Sequence, residues 1–388
     1  MLARLTVACS LLALFASVAH AAEPSQGRSV QSKSAHNKPV QSKSAQGKAA
    51  QGKAAQAKSA ERKSAERKSA QYSIQRRFTL GGDGGWDLLE CDAPGNRIFI
   101  SRSTRFMVVD SVTGKLLGEI PDTPGAHGVA LDYSNGKGFT SNGKDDSVTV
   151  FDLKTLKFLS KIKVGKSPDA MVLDSFSKAV YVFNGHSNDA SVIDPKTNSV
   201  IATIALSGKP ELGVSDGKGD IFVNIEDKAE IDRIDAKTHK VTATWPLKPG
   251  EGPSGLAIDP KTKRLFAACD NNFMIALDSE TGKLVAAVPI GAGPDGAVFD
   301  ADRHLIMVPN GEDGTLTIIK EESPTRFVLQ QTLETQERCR TMTLNPKTHV
   351  VYLPAAEFET LTPEEQQAKK RPHVKAGSFQ ILEIGTGR

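Results

Sequence analysis

The stretch Asp169–Pro210, DAMVLDSFSKAVYVFNGHSNDASVIDPKTNSVIATIALSGKP, decides the fold. It holds four short runs rich in β-branched and aromatic residues, AMVL, AVYVF, ASVI and SVIATI, separated by clusters of Ser, Asn, Asp, Gly and Pro. Strand-length apolar runs punctuated by turn formers describe an antiparallel meander, and none has the length an amphipathic helix needs. The unit recurs seven times. An Asp closing the first run marks the period at Asp92, Asp132, Asp174, Asp216, Asp259 and Asp300, with Asn345 in the seventh unit, at spacings of 40, 42, 42, 43, 41 and 45 residues. Four strands repeated at that period are the signature of propeller blades. A lone four-stranded sheet cannot bury both faces, so blades stack around an axis and cover one another. The sequence therefore predicts an all-β, seven-bladed β-propeller.

Working outward, the seventh unit supplies three strands, TMTL at 341–344, VVYLP at 350–354 and SFQILEI at 378–384, and lacks a fourth. The segment YSIQRRFTLGG at 72–82 has the form of a fourth strand but precedes the first unit. Pairing it with the last blade closes the ring and removes two exposed sheet edges at once. Between the second and third strands of the seventh unit lies an enlarged link, AAEFETLTPEEQQAKKRPHVKAG. In it Thr362 is placed as an N-cap, Pro363 as the first helical residue, Glu364 and Glu365 in the first turn, and Lys369, Lys370 and Arg371 at the end before Pro372, so a short helix is expected.

Ahead of the propeller, residues 1–21 read as a signal peptide: one Arg, a short apolar run and an Ala19-His20-Ala21 cleavage pattern. Cleavage after Ala21 and a periplasmic or secreted location follow. Cys9 lies inside the apolar run rather than after it, so lipidation is not expected. Residues 22–71 repeat a five-residue Lys/Ala/Ser/Gln theme, with 11 basic residues against 3 Glu. Almost no large apolar side chain is present to bury, so this tail is expected to be disordered. It reads either as a solvated spacer or as a tether to an anionic surface such as membrane, cell wall or nucleic acid. Residues 72–388 form the propeller and carry 37 basic and 42 acidic side chains, so the overall charge of +4 hides an acidic domain behind a basic tail. Three cysteines remain after cleavage, Cys91, Cys269 and Cys339. An odd number without close spacing argues against a disulfide framework, and apolar neighbours place Cys91 and Cys269 in the interior.

In a propeller the first strand of each blade lines the central channel. Counting five positions back from each period marker gives one column of residues at the channel mouth: Asp87, His127, Asp169, Glu211, Ser254, Asp295 and Arg340. Links between second and third strands emerge on the same face and add Asn142, Asn184, His186, Asn224, Glu226, Asn310 and the 355–377 insertion, so this face reads as polar and partly lidded. Two readings of the ring stand side by side. In one, Arg340 neutralises Asp295 and Asp87, His127 sits between Asp87 and Asp169, and the Asn side chains tie loops together. In the other, Asp169 and Glu211 lie in adjacent blades with no cation between them, which raises a carboxylate's affinity for protons or calls for a bound cation. Asp169 and Glu211 are then the metal candidates. His127 serves as base or ligand anchor, and Arg340 holds a carboxylate or developing oxyanion.

Familiar cofactor signatures are missing from the sequence: no C-x-x-C-H, no C-x-x-C or H-x-x-x-H, and no EF-hand loop. GAGPDG at 291–296 fits G-x-G-x-x-G by letter but leads into a strand. Ser254 stands three blades from His127, too far for a nucleophile and its base. No cofactor is evident, and a bound cation is the inorganic partner the acids allow.

The chain resembles the YVTN-repeat, YncE-like family of exported bacterial seven-bladed propellers. YVFN at 181–184, FVN at 222–224, the SNGKDDSVTVFDLKT and FNGHSNDASVIDPKT blade cores, PDTPGAHGVAL, and LPAAEFE through RPHVKAGSFQILEIG carry the resemblance across residues 72–388. It implies the propeller fold and a binding role, which includes DNA in one branch; the acidic propeller here leaves DNA contact to the basic tail. Related propellers hydrolyse lactones with His, Glu and Arg near the mouth, residue types that His127, Glu211 and Arg340 supply. The expected function is binding of a small polar ligand, cation or peptide at the mouth by Asp87, His127, Asp169, Glu211, Asp295, Arg340, Asn142, Asn184, Asn224 and Asn310. The alternatives are a lactonase-like hydrolase using His127, Asp87, Asp169 and Arg340, or a scaffold for protein partners on the loop face. The chain is expected to act as a monomer.

Overall fold

The structure, a computed structural model, describes residues 71–367 and 372–387, all within the second of the chain's two units, Arg62–Arg388. The expected signal peptide, the basic tail up to Ala70, and Lys369, Lys370 and Arg371 lie outside the described residues.

Seven four-stranded antiparallel sheets make up the domain. Six are meanders in chain order, and the seventh is composite: β1 (Tyr72–Thr79) lies beside β28 (Gln380–Thr386), then β27 (Val350–Ala355), then β26 (Thr343–Asn345). Tyr72 is paired with Thr386 and Thr79 with Gln380, so the segment before the first repeat completes the last blade. Tyr72 and Phe78 are buried, and Tyr72 also exchanges backbone hydrogen bonds with the Gln331 amide of the sixth blade.

Two local devices recur along the blades. The first is an Asp-x-x-Thr turn between third and fourth strands. At 110–113, 152–155, 235–238 and 278–281 one carboxylate oxygen accepts both the amide and the hydroxyl of the Thr three residues on. This Asx turn is followed by a left-handed residue, Gly114, Leu156, His239 or Gly282, which returns the chain into the next strand. The second is the period-marking carboxylate, buried at Asp92, Asp132, Asp174, Asp259 and Asp300, where it holds the turn between first and second strands; Asp132, for example, accepts from Ser134 and Asn135.

The core lies between blades rather than inside any one of them, as stacking requires. Tyr181 and Phe183 of the third blade pack with Ile221 and Val223 of the fourth, and Phe222 packs with Leu265 and Ala267 of the fifth. Cys91, Cys269 and Cys339 are buried free thiols, and burial pushes each of their pKa values up to about 12. Among the described residues no helix is long and apolar enough to cross a membrane. The expected helix is present as α1 (Pro363–Gln367), opened by a capping box in which the Glu365 amide donates to Thr362 Oγ1 and the Thr362 amide to Glu365 Oε2.

Candidate functional site

The channel mouth is built by an irregularity in the first strands. In β6 (Ala126–Asp132), β10 (Pro168–Leu173), β14 (Pro210–Ser215) and β18 (Pro253–Asp259) the pairing register slips just after the opening residue. The slip falls on His127, Asp169, Glu211 and Ser254. A bulge releases its residue from the ladder and re-aims the side chain, here into the mouth for His127, Asp169 and Glu211. In the first, sixth and seventh blades the ladder starts later, at Leu89, Val298 and Thr343, and Asp87, Asp295 and Arg340 stand in the approach segment. Hydroxyls from neighbouring strands hold these irregular backbones: the Asp87 amide donates to Ser101 Oγ, Thr341 Oγ1 donates to the Asp87 carbonyl, and Ser141 Oγ to the Asp169 carbonyl.

Six of the seven column residues meet in one cavity of about 240 Å³: Asp87, His127, Asp169, Glu211, Asp295 and Arg340, joined by Lys209, Glu226 and the edges of Leu88 and Leu212. His127 Nδ1 lies 2.5 Å from Asp87 Oδ2 and 3.7 Å from Asp169 Oδ1. Arg340 lies 3.2 Å from Asp295 and 3.7 Å from Asp87. Lys209 Nζ is 2.7 Å from Glu211 Oε1 and also bonds Glu226. The ring is thus three linked clusters of charge in which five carboxylates face three cationic side chains.

That imbalance governs protonation. Burial tends to discharge His127, but the Asp87 hydrogen bond and the fields of Asp169 and Glu211 outweigh it and raise its pKa to about 9. Burial first, then the neighbouring Asp87 carboxylate, lifts Asp169 to about 6. Its side chain keeps 30% of its surface, so cavity water reaches it and the burial contribution is an upper limit. Burial and the Asp169 charge lift Glu211 to about 7, against the pull of Lys209. Burial raises Asp295 well above the usual carboxylate range despite Arg340.

A profile for "YNCE-like beta-propeller" proteins matches residues 128–323. The chain belongs to that family. No curated protein sequence matches it. Among solved structures it is similar to a chain of Kuenenia stuttgartiensis hydrazine synthase, at 17% identity and TM-score 0.63 over 72% of this chain and 95% of that one. A chain in a crystal structure of a mitotic checkpoint complex is similar at 14% identity and TM-score 0.64, over 73% of this chain and 89% of the other. At such identities the likeness speaks for the propeller fold alone.

Within this YNCE-like propeller, several sequence-derived candidates stand apart from the cavity. Ser254 is buried, its hydroxyl donating 2.8 Å to the Pro294 carbonyl. Asn142, Asn184, Asn224 and Asn310 are fully buried. Asn184 and Asn310 donate to side chains of the adjacent third strand, Asn142 contacts Ser147 and Thr149 there, and Asn224 donates to the Ser254 and Gly255 carbonyls of the next blade. None of the four lines the cavity. His186 lies outside it as well, and none of the insertion's described residues lines it. The insertion instead forms a bridge between Phe358 and Val374 and packs Phe358 on Trp86, with ring centroids 6.1 Å apart.

The expectation that no cation stands near Asp169 and Glu211 is corrected by Lys209. It lies two positions before the ring column, where other blades carry Gly85, Gly125, Ser167, Gly252, Gly293 and Arg338. Most of those adopt positive φ, whereas Lys209 does not and directs an amine to the mouth instead. At the mouth the ligand atoms of Asp87, His127 and Asp169 gather within 4.8 Å of one another, a three-donor set that does not include Glu211. A second cavity, of about 390 Å³, is lined by Val172, Val214, Ile258 and the Ser215–Gly217 turn, with Asp216 its sole titratable residue.

Proposed function

We propose that this chain is an exported, non-catalytic binding propeller that captures a small ligand bearing a positive charge, such as a cation, an amine or a peptide N-terminus, at the channel mouth. One observation carries the reading: five carboxylates against three cations enclose a cavity of about 240 Å³, leaving negative charge for a ligand to balance. Lys209 and Arg340 keep the remaining acids apart and would orient a polar or anionic end of the same ligand. The basic tail would hold the domain near an anionic surface.

Native mass spectrometry of the exported protein, beside an Asp87/Asp169/Glu211 triple-alanine variant, tests this. A bound mass lost in the variant supports the reading. Equal masses, together with unchanged ligand-induced stabilisation in Asp169→Ala and Glu211→Ala, would reject the site.

A hydrolase reading draws on the His127–Asp87 contact, which has the geometry of a base held by its orienting carboxylate. A pKa of about 9 leaves His127 protonated near neutrality, so lactone turnover would rise with pH up to that value. No rate above a His127→Ala control at pH 9 would end this alternative.

A further inference from the structure

At the opposite end of the first strands, on the seam between the fifth and sixth blades, the repeat is broken by a buried acid. In five blades the residue after the third strand's last position paired with the second strand donates its amide to the carbonyl that ends the strand-one-to-two turn: Ser111 to Asn96, Leu153 to Gly136, Ala236 to Gly219, Ser279 to Lys263 and Glu321 to His304. The fold asks for a small or apolar side chain there, and the sixth blade supplies Glu321, only 4% exposed. The turn residue facing it is His304 in the left-handed conformation; the other four carry Asn, Gly or Lys, and the seventh blade has left-handed His349 at this position, 2.9 Å from Asp300 Oδ2.

Glu321 points at the buried Asp259 of the neighbouring blade. The Thr262 hydroxyl lies 2.7 Å from Asp259 Oδ2 and 2.9 Å from Glu321 Oε1, and its single proton serves one of them. Glu321 Oε2 is buried with no hydrogen-bond partner, 4.0 Å from His304 Nδ1. The cation that the first blade sets on its marker Asp is turned away here: Arg97 Nε donates 2.7 Å to Asp92, but its counterpart Arg264 is bound to Asp278 and to the Pro324 carbonyl. Two buried carboxylates, one with an orphaned oxygen, and an imidazole therefore converge with ligand atoms within 4.8 Å of one another.

We propose that Asp259, Glu321 and His304 form a binding site for a divalent first-row transition ion, Zn²⁺ being the best fit, which staples the fifth blade to the sixth. Ligands about 2.0–2.2 Å from one ion lie roughly 3–4 Å apart, so modest contraction of the cluster seats it. Two carboxylates and one imidazole are a donor set for ions of this class, with water completing the shell. The staple is separate from the mouth.

The test is Zn²⁺ binding by the purified full-length protein after chelator stripping, followed by calorimetry and metal analysis with ZnCl₂ as the probe. Wild type and a His127→Asn variant, altered only at the mouth, should both take up the ion. Glu321→Gln and His304→Asn should each bind it roughly tenfold or more weakly. Saturating Zn²⁺ should raise the melting temperature of wild type by a few degrees and leave that of the two seam variants unmoved. Should Glu321→Gln fail to fold, His304→Asn decides alone, since Asn accepts the left-handed turn position. Binding unchanged in the seam variants, lost only in His127→Asn, or absent from wild type would overturn the proposal.

Discussion

His127 Nδ1 stands 2.5 Å from Asp87 Oδ2 across the seam between the second and first blades, with Asp169 of the third blade 3.7 Å away on its other side. One imidazole therefore bridges three blades, and its charge state is set by carboxylates that come from elsewhere in the chain.

Removing the closest of these should lower the histidine's basicity. Asp87→Asn should drop the His127 pKa from about 9 by roughly one unit or more, since a nearby opposite charge contributes about that much. Histidine ring-proton NMR titration of wild type and variant measures it, and an unmoved titration would mean that Asp169 and Glu211 alone hold the proton.

The same shifts fix a pH dependence of stability. His127, Asp169 and Glu211 all have folded-state pKa values above their ordinary ones, so each stabilises the fold below its ordinary value and loses that contribution as pH rises. For Asp169 and Glu211 the loss is complete by about pH 6 and 7, and for His127 it runs from about 6.5 through about 9. Melting temperatures should therefore fall by a few degrees between pH 6 and 10, and His127→Asn should flatten that limb in thermal melts across the range.

Ring closure should be essential to stability. Deleting Tyr72–Thr79 removes the partner of β28 and the buried Tyr72 and Phe78, leaving an open sheet edge. A melting temperature at least several degrees lower, with aggregation, is expected by scanning calorimetry. Phe78→Ala alone should cost about 3–5 kcal/mol in denaturant unfolding.

Arg102 predicts a loop phenotype. Fully buried, it stacks 3.7 Å over Phe379 and donates to the carbonyls of Gly81, Gly82, Asp83, Gly84 and Gly85. Arg102→Met should keep the packing but orphan those carbonyls, destabilising the domain by on the order of 3 kcal/mol. Hydrogen exchange should show residues 81–85 opening first, and Arg102→Lys should rescue only in part, because an ammonium cannot fan five donors in a plane.

The architecture was legible because the marker Asp recurs every 40–45 residues between strand-length apolar runs, and counting five positions back from each marker also located the ring. What the column could not show was side-chain direction. Asn142, Asn184 and Asn310 sit on the strand beside the mouth but face the third strands' hydroxyls, and Asn224 faces the next blade's backbone, so polarity there marked internal ties. Lys209 escaped notice because its position is elsewhere a turn position rather than a side-chain position. Arg102 fills the slot that four other blades give to Asn, and its role depends on the Gly-rich loop lying over it. Glu321 and His304 meet Asp259 only across a seam, so no column within a single repeat contains all three.

The bulges at His127, Asp169 and Glu211 carry an evolutionary consequence. Because a bulged residue has left the ladder, exchanging its side chain alters the rim's chemistry while the sheet's pairing and the inter-blade packing stay as they were. The rim is in effect a set of interchangeable sockets on a fixed frame, and relatives with the same blades are free to diverge in what they hold there without having to refold around it.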